Sequence, residues 1–144
     1  MPSLCDANVL LAVCHHRHLH HTAALRWLDG IQEDDEVIIC RFSQLALLRL
    51  LNNPVTMQAQ PLSAGQAWRE YDTVLSDGRF AFRNEPEQLE TILRELMGGK
   101  QISPKMWPDA YLAAFSITAG LQFVTFDRGF RQFTDLELLL LGDS

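Results

Sequence analysis

Three aspartates have the type and placement to do chemistry. Asp6 follows the apolar start Ser3-Leu4-Cys5, Asp127 follows the run Leu121-Gln122-Phe123-Val124-Thr125-Phe126, and Asp109 stands in Trp107-Pro108-Asp109 at the head of a helical segment. Singly, each also reads as a helix cap, because an Asp in a first turn accepts hydrogen bonds from free backbone N–H groups and suits the positive end of the dipole. Together they suit another role. Carboxylates within about 4–6 Å repel, raising the pKa of at least one unless a cation neutralises them. Oxygen donors without His or Cys select Mg2+ or Mn2+ over zinc or copper. Such a site binds phosphate oxygens and activates water for in-line attack on phosphorus.

For the acids to meet, strands must deliver them to one edge. Ser3-Leu4-Cys5 is strand-like, and the helix 7–14 follows Asp6 directly. A second helix is expected from His20-His21-Thr22 to the stop at Gly30. Val37-Ile38-Ile39-Cys40 is a β-branched run too short for a helix, the pattern of a buried parallel strand. Ser43 is expected to cap a helix over 44–52, which Asn53-Pro54 ends, and Ser63 to cap one running through Trp68, Tyr71, Val74 and Leu75. Arg79-Phe80-Ala81-Phe82 reads as a short edge strand. Pro86 is expected to open a helix that Gly98-Gly99 closes, and Pro108 to lie in the first turn of one that Gly120 ends. Residues 121–126 form the strand delivering Asp127, Arg128-Gly129-Phe130-Arg131 a turn or helical stub, and 137–141 the last strand. This alternation predicts a mainly parallel sheet with helices on both faces, and right-handed crossovers bring all three acids to the carboxyl ends of the strands.

With 144 residues, 47% of them hydrophobic, the chain can bury a core as a single domain spanning 1–144. No apolar run reaches the roughly 18 residues of a membrane span, and the N-terminus lacks the pattern of a secretory signal, so a cytoplasmic protein is expected. Cys5, Cys14 and Cys40 lack C-x-x-C spacing and lie among apolar residues, as reduced core thiols do. The net charge of −6 opposes general affinity for nucleic acid, so such a substrate needs a local basic surface or a bound cation.

Several stretches together resemble the PIN-domain family, most closely its VapC-type branch of toxin ribonucleases. They are Leu4-Cys5-Asp6-Ala7-Asn8, the helix from Gln44-Leu45-Ala46-Leu47 to Asn53-Pro54, Asp109-Ala110-Tyr111-Leu112-Ala113-Ala114, and Val124-Thr125-Phe126-Asp127-Arg128-Gly129-Phe130. The resemblance implies a three-layer α/β/α sandwich and Mg2+- or Mn2+-dependent hydrolysis of RNA phosphodiester bonds. It further implies a homodimer held inactive by an antitoxin protein. Asp6, Asp109 and Asp127 match the family acids, with Asp6 and Asp109 as direct metal ligands and Asp127 acting through water. Asn8 and Thr125 match the polar positions beside them.

Gln44 stands where the family usually carries Glu, and an amide can neither bear the charge nor take the proton. A rival expectation follows: a catalytically weakened module that binds RNA or a partner protein without turnover. A phosphatase-like hydrolase with Asp6 as covalent nucleophile is disfavoured, because Asn8 stands where such enzymes carry a second Asp. His15, His16, His18, His20 and His21 sit in a polar helix–helix turn with no fixed geometry for zinc, so packing or solvation is expected of them. Arg128 and Arg131 directly follow Asp127 and are candidates for RNA phosphate contacts, as are Arg41 and Arg49, since guanidinium groups bind phosphate bidentately. Trp27, Trp68 and Trp107 follow apolar helical faces and read as core or interface.

Overall fold

The structure, a computed structural model, describes residues 1–142, so Asp143 and Ser144 lie outside the described residues. The strands are β1 (Ser3–Cys5), β2 (Val37–Ile39), β3 (Phe80–Phe82), β4 (Gln122–Thr125) and β5 (Leu138–Leu140). Between and after them run α1 (Ala7–Cys14), α2 (His21–Asp29), α3 (Arg41–Asn52), α4 (Ala64–Ser76), α5 (Leu89–Met97) and α6 (Met106–Ala119), with a 3-10 turn at Arg128–Gln132. Among the described residues the strands form one sheet in the order β3-β2-β1-β4-β5, and each pairing is parallel.

The alternation of side chains along each strand builds two cores. Leu4, Ile38 and Phe123 face one way, onto α5, α6 and the 3-10 turn through Leu89, Leu112, Phe115 and Phe130. Cys5, Val37, Ile39 and Val124 face the other way, onto Val9, Leu10, Leu28, Leu47, Leu51 and Tyr71 of α1–α4. Successive residues of a strand point to opposite faces, so a strand covered on both sides must be apolar throughout. That is why Leu4 and Cys5 are both fully buried.

The order also fixes where a ligand can enter. From β1 the chain winds outward through β2 to β3, then crosses back to place β4 on the other flank of β1. The gap between β1 and β4 is therefore the topological switch point, where crossovers diverge and leave a crevice at the carboxyl ends of the strands.

Two helix starts differ from expectation. Ser43 does not cap a helix beginning at Gln44. Cys40, extended at φ −101° and ψ 171°, takes the cap position and α3 begins at Arg41. Ser43 lies within the first turn, where its hydroxyl accepts from the Cys40 N–H at 3.0 Å and donates to the Cys40 carbonyl at 3.1 Å. The turn from β2 into α3 is tighter than the sequence suggested because this reciprocal bonding satisfies it locally. Pro86 likewise does not open α5. It lies in the segment before the helix, and Gln88, at φ 72°, makes the sharp entry instead. The expected stop at Gly120 is present: at φ 69° it closes α6 and returns its N–H to the Ser116 and Ile117 carbonyls.

The thiols of Cys5, Cys14 and Cys40 are free. Among the described residues no helix is long and apolar enough to cross a membrane.

A candidate carboxylate site at the switch point

Asp6 stands where β1 ends and α1 begins. Its Oδ1 accepts from the Ala7 N–H at 2.8 Å, so it does cap the helix. Its other oxygen, Oδ2, accepts a 2.6 Å hydrogen bond from the hydroxyl of Thr125, the last residue of β4. The same hydroxyl accepts from the Asp127 N–H at 3.0 Å. Because Asp6 N–H also donates to the Val124 carbonyl at 3.0 Å, the ends of β1 and β4 are stitched together across the switch point. Asp127 caps the 3-10 turn, its Oδ1 accepting from Gly129 N–H at 2.8 Å.

Asp109 sits in the first turn of α6. Burial pushes the Asp6 carboxyl up to about 6, and the charges of Asp109 and Asp127 add to that rise, against the lowering effect of the Thr125 and Ala7 hydrogen bonds. The Asp109 carboxyl is raised as well, first by burial and then by Asp127, with Lys105 opposing. All three acids thus lie within one another's field. For Asp6 and Asp127 the cap role and a shared site are not alternatives, since each caps with one carboxylate oxygen, whereas Asp109 makes no cap hydrogen bond among the described residues.

Whether these residues suit a divalent cation is a matter of donor chemistry. They offer hard oxygens only, and their mutual repulsion is the kind a cation relieves. Asn8, two residues beyond Asp6, carries a buried Oδ1 with no hydrogen-bond partner among the described residues, an acceptor that a water or an ion would satisfy. Among the described residues no group of three or more His, Cys, Asp or Glu side chains is placed to hold a metal ion. Mg2+ takes only one or two carboxylates and keeps several of its waters, so it would need no more than two of these acids.

Gln44 is 4% exposed at the start of α3. Its Oε1 accepts from Arg41 Nη1 at 2.5 Å, and its amide lies within hydrogen-bonding reach of the Tyr71 hydroxyl. Its contacts therefore run to Arg41 and Tyr71 rather than to the acids. Arg128 and Arg131 lie on the 3-10 turn after Asp127, exposed to solvent. The histidines pack: His20 stacks on Phe126 at 4.5 Å between centroids, His18 lies over the same ring at 6.4 Å, and His21 Nδ1 bonds the Ala12 carbonyl at 2.6 Å. Trp68 and Trp107 are about half exposed rather than core, whereas Trp27 packs on the α1–α4 side. The contacts of two aromatic residues had no signal in the sequence. Tyr71 is reached by Gln44 only through packing of α4 on α3, and Tyr111, within the Asp109 motif, donates its hydroxyl to Glu85 at 3.0 Å.

A parallel five-stranded α/β/α sandwich, with Asp109 and Asp127 within electrostatic reach of Asp6 at its switch point, is an arrangement compatible with phosphate chemistry, and comparison with known proteins narrows it. The sequence matches the PIN domain over residues 3–136. "Ribonuclease VapC41" of Mycobacterium tuberculosis (strain ATCC 25618 / H37Rv) is 41% identical over 143 residues, covering 96% of this chain and 98% of that protein. Two solved structures share the fold. One, described as VapBC2 from Rickettsia felis bound to a DNA fragment from their promoter, matches with a TM-score of 0.73 at 15% identity, over 99% of this chain and 100% of that one. The other, Mycobacterium tuberculosis VapC20, a Sarcin-Ricin loop cleaving toxin, matches with a TM-score of 0.64 at 18% identity, over 93% and 96%. This chain belongs to the PIN-domain family.

Proposed function

We propose that this chain is the toxin of a VapBC-type toxin–antitoxin pair, an endoribonuclease that hydrolyses RNA phosphodiester bonds at the Asp6–Asp109–Asp127 site. The observation that carries it is the 41% identity to a ribonuclease along nearly the full length of both chains. The coupled acids at the β1/β4 crevice support it from the side of chemistry. The activity is assigned to a single domain of residues 1–144, working in the cytoplasm as a homodimer with RNA as substrate and an antitoxin protein as inhibitor.

Asp6 and Asp109 would hold Mg2+ or Mn2+ directly. When bound, such an ion supplies Lewis-acid stabilisation of charge on phosphate oxygens. The protein's own groups do the rest. Asp127 commits one oxygen to Gly129 and keeps the other to accept a hydrogen bond from the attacking water, orienting it towards phosphorus. Thr125 fixes the Asp6 carboxylate and the Asp127 backbone in one register. Asn8 offers an oxygen to the same first turn, Arg128 and Arg131 contact RNA phosphates, and Gln44 holds Arg41 in place.

Induced expression of the chain should arrest growth and fragment cellular RNA, and co-expression of a small protein encoded beside it should relieve both. Growth and RNA unaffected by the intact, folded protein would reject the toxin assignment.

A further inference from the structure

At the carboxyl ends of β2 and β3, on the sheet edge where β1 delivers Asp6, lies a concavity of about 440 Å³. It is lined by Arg41, Phe42 and Leu45 from the first turns of α3, Phe82 and Arg83 from the end of β3, and Tyr111 of α6, with Asn84 and Glu85 closing it. Neighbouring strands lie about 4.8 Å apart, so the ends of β2 and β3 are about 5 and 10 Å from that of β1, where Asp6 stands. The groove and the acids share one sheet edge.

Its chemistry is unlike that of an ordinary surface hollow. The Arg41 guanidinium lies 4.6 Å over the centroid of the Phe82 ring, a cation–π pair that holds the charge in a fixed place. Gln44 Oε1 holds the same guanidinium by accepting from Nη1. Phe42 is 38% exposed and leans on Tyr111 at 5.8 Å between ring centroids, giving two neighbouring aromatic faces. Glu85, the acid among the lining residues, accepts the Tyr111 hydroxyl. Arg41 and Arg83 thus place positive charge beside aromatic rings, in a chain whose net charge is −6.

Exposed rings next to guanidinium groups suit single-stranded RNA, since bases stack on aromatic faces or guanidinium planes while cations meet the backbone. Resting on the ribonuclease assignment above, we infer that this groove is a nucleotide subsite: it stacks one base flanking the scissile phosphate on Phe42, Tyr111 and Arg41, and Arg83 meets the adjoining phosphate. Charge and continuity with the acid edge select an RNA strand over a peptide as its occupant. Phe42 and Tyr111 are then specificity-determining residues, and the acids remain the reacting ones. The amide of Asn84 at the rim can both donate to and accept from a base edge.

The test is an abasic scan with single-stranded RNA oligonucleotides cleaved in Mn2+, comparing wild type with Phe42→Ala. In wild type, removing the base at one position beside the cut should raise KM about tenfold, the weight of one stacked base. In Phe42→Ala, KM for intact RNA should already be raised to a similar degree, and the same abasic substitution should change it less than about twofold. Phe42→Trp should retain the wild-type pattern, which separates loss of stacking from a folding defect. A wild-type KM in Phe42→Ala, or an abasic penalty that persists unchanged there, overturns the subsite while leaving the ribonuclease assignment standing. If Phe42→Ala weakens only inhibition by a co-expressed partner protein, the groove docks protein and the subsite is again overturned. If wild type cleaves none of the oligonucleotides and no cellular RNA, the ribonuclease assignment itself has failed.

Discussion

The Thr125 hydroxyl donates to Asp6 Oδ2 at 2.6 Å, joining residues 119 positions apart in the sequence. The bond spans the switch point of the sheet, and the hydroxyl accepts from Asp127 N–H at the same time. One fully buried oxygen therefore sets the relative position of two of the acids.

Thr125→Val keeps the shape and removes the oxygen. It strips Asp6 of a donor and leaves the Asp127 N–H unanswered, so stability should fall by about 1–3 kcal/mol. RNA cleavage should fall at least about tenfold as the carboxylates lose their register. Thr125→Ser should retain most of both. Urea unfolding and cleavage rates of the two variants check this, and equal behaviour of Val and Ser would remove any positioning role for the hydroxyl.

The raised Asp6 carboxyl makes metal-free stability depend on pH. In the folded chain Asp6 holds its proton up to about pH 6, whereas unfolded it releases it near an ordinary aspartate value of about 3.9. Between those values the folded state binds more protons, so stability falls as pH rises through the window from about 4 to about 6. Asp109, raised also, acts in the same direction. Unfolding by urea in EDTA should show Asp6→Asn gaining on wild type by at most about 1–3 kcal/mol between pH 4 and pH 7. Added Mg2+ should restore wild-type stability at pH 7 but not that of the variant. A pH-independent difference between the two proteins would contradict the shift.

Gln44→Glu separates an active enzyme from a binding-only module. The new carboxylate would pair with Arg41, which already donates to this position at 2.5 Å, so its charge would be met within α3. Cleavage should therefore change by less than about tenfold from a wild type that is already active. An inactive wild type converted to a nuclease by this one substitution would establish the weakened-module alternative.

Much of this was legible in the chain because strands buried on both faces leave an unambiguous trace. Val37-Ile38-Ile39 can be little else, and an Asp directly after such a run can only stand at a strand's carboxyl end. The position of Asp6 and Asp127 after apolar strand runs is therefore readable without the sheet order. The helix starts were less legible, because Ser43 works as a cap from either side: it reaches back to Cys40 from within the first turn, which spacing alone does not distinguish from a cap in front. Pro86 failed for a related reason, since the left-handed turn at Gln88 carries no sequence mark. The partners of Gln44 and the Phe42–Tyr111 pair arise from packing between elements distant in sequence, which periodicity within one element does not encode.

The central claim is that Asp6 and Asp109 act as one cation-binding unit in RNA cleavage. Its most direct test is calorimetric Mn2+ titration paired with Mn2+-dependent cleavage of RNA by wild type, Asp6→Asn and Asp109→Asn, after circular dichroism has established that all three are folded. Wild type should bind Mn2+ and cleave, and each variant should lose cleavage by roughly 100-fold or more together with most of its Mn2+ affinity. Undiminished Mn2+ binding and cleavage by both variants would contradict the account.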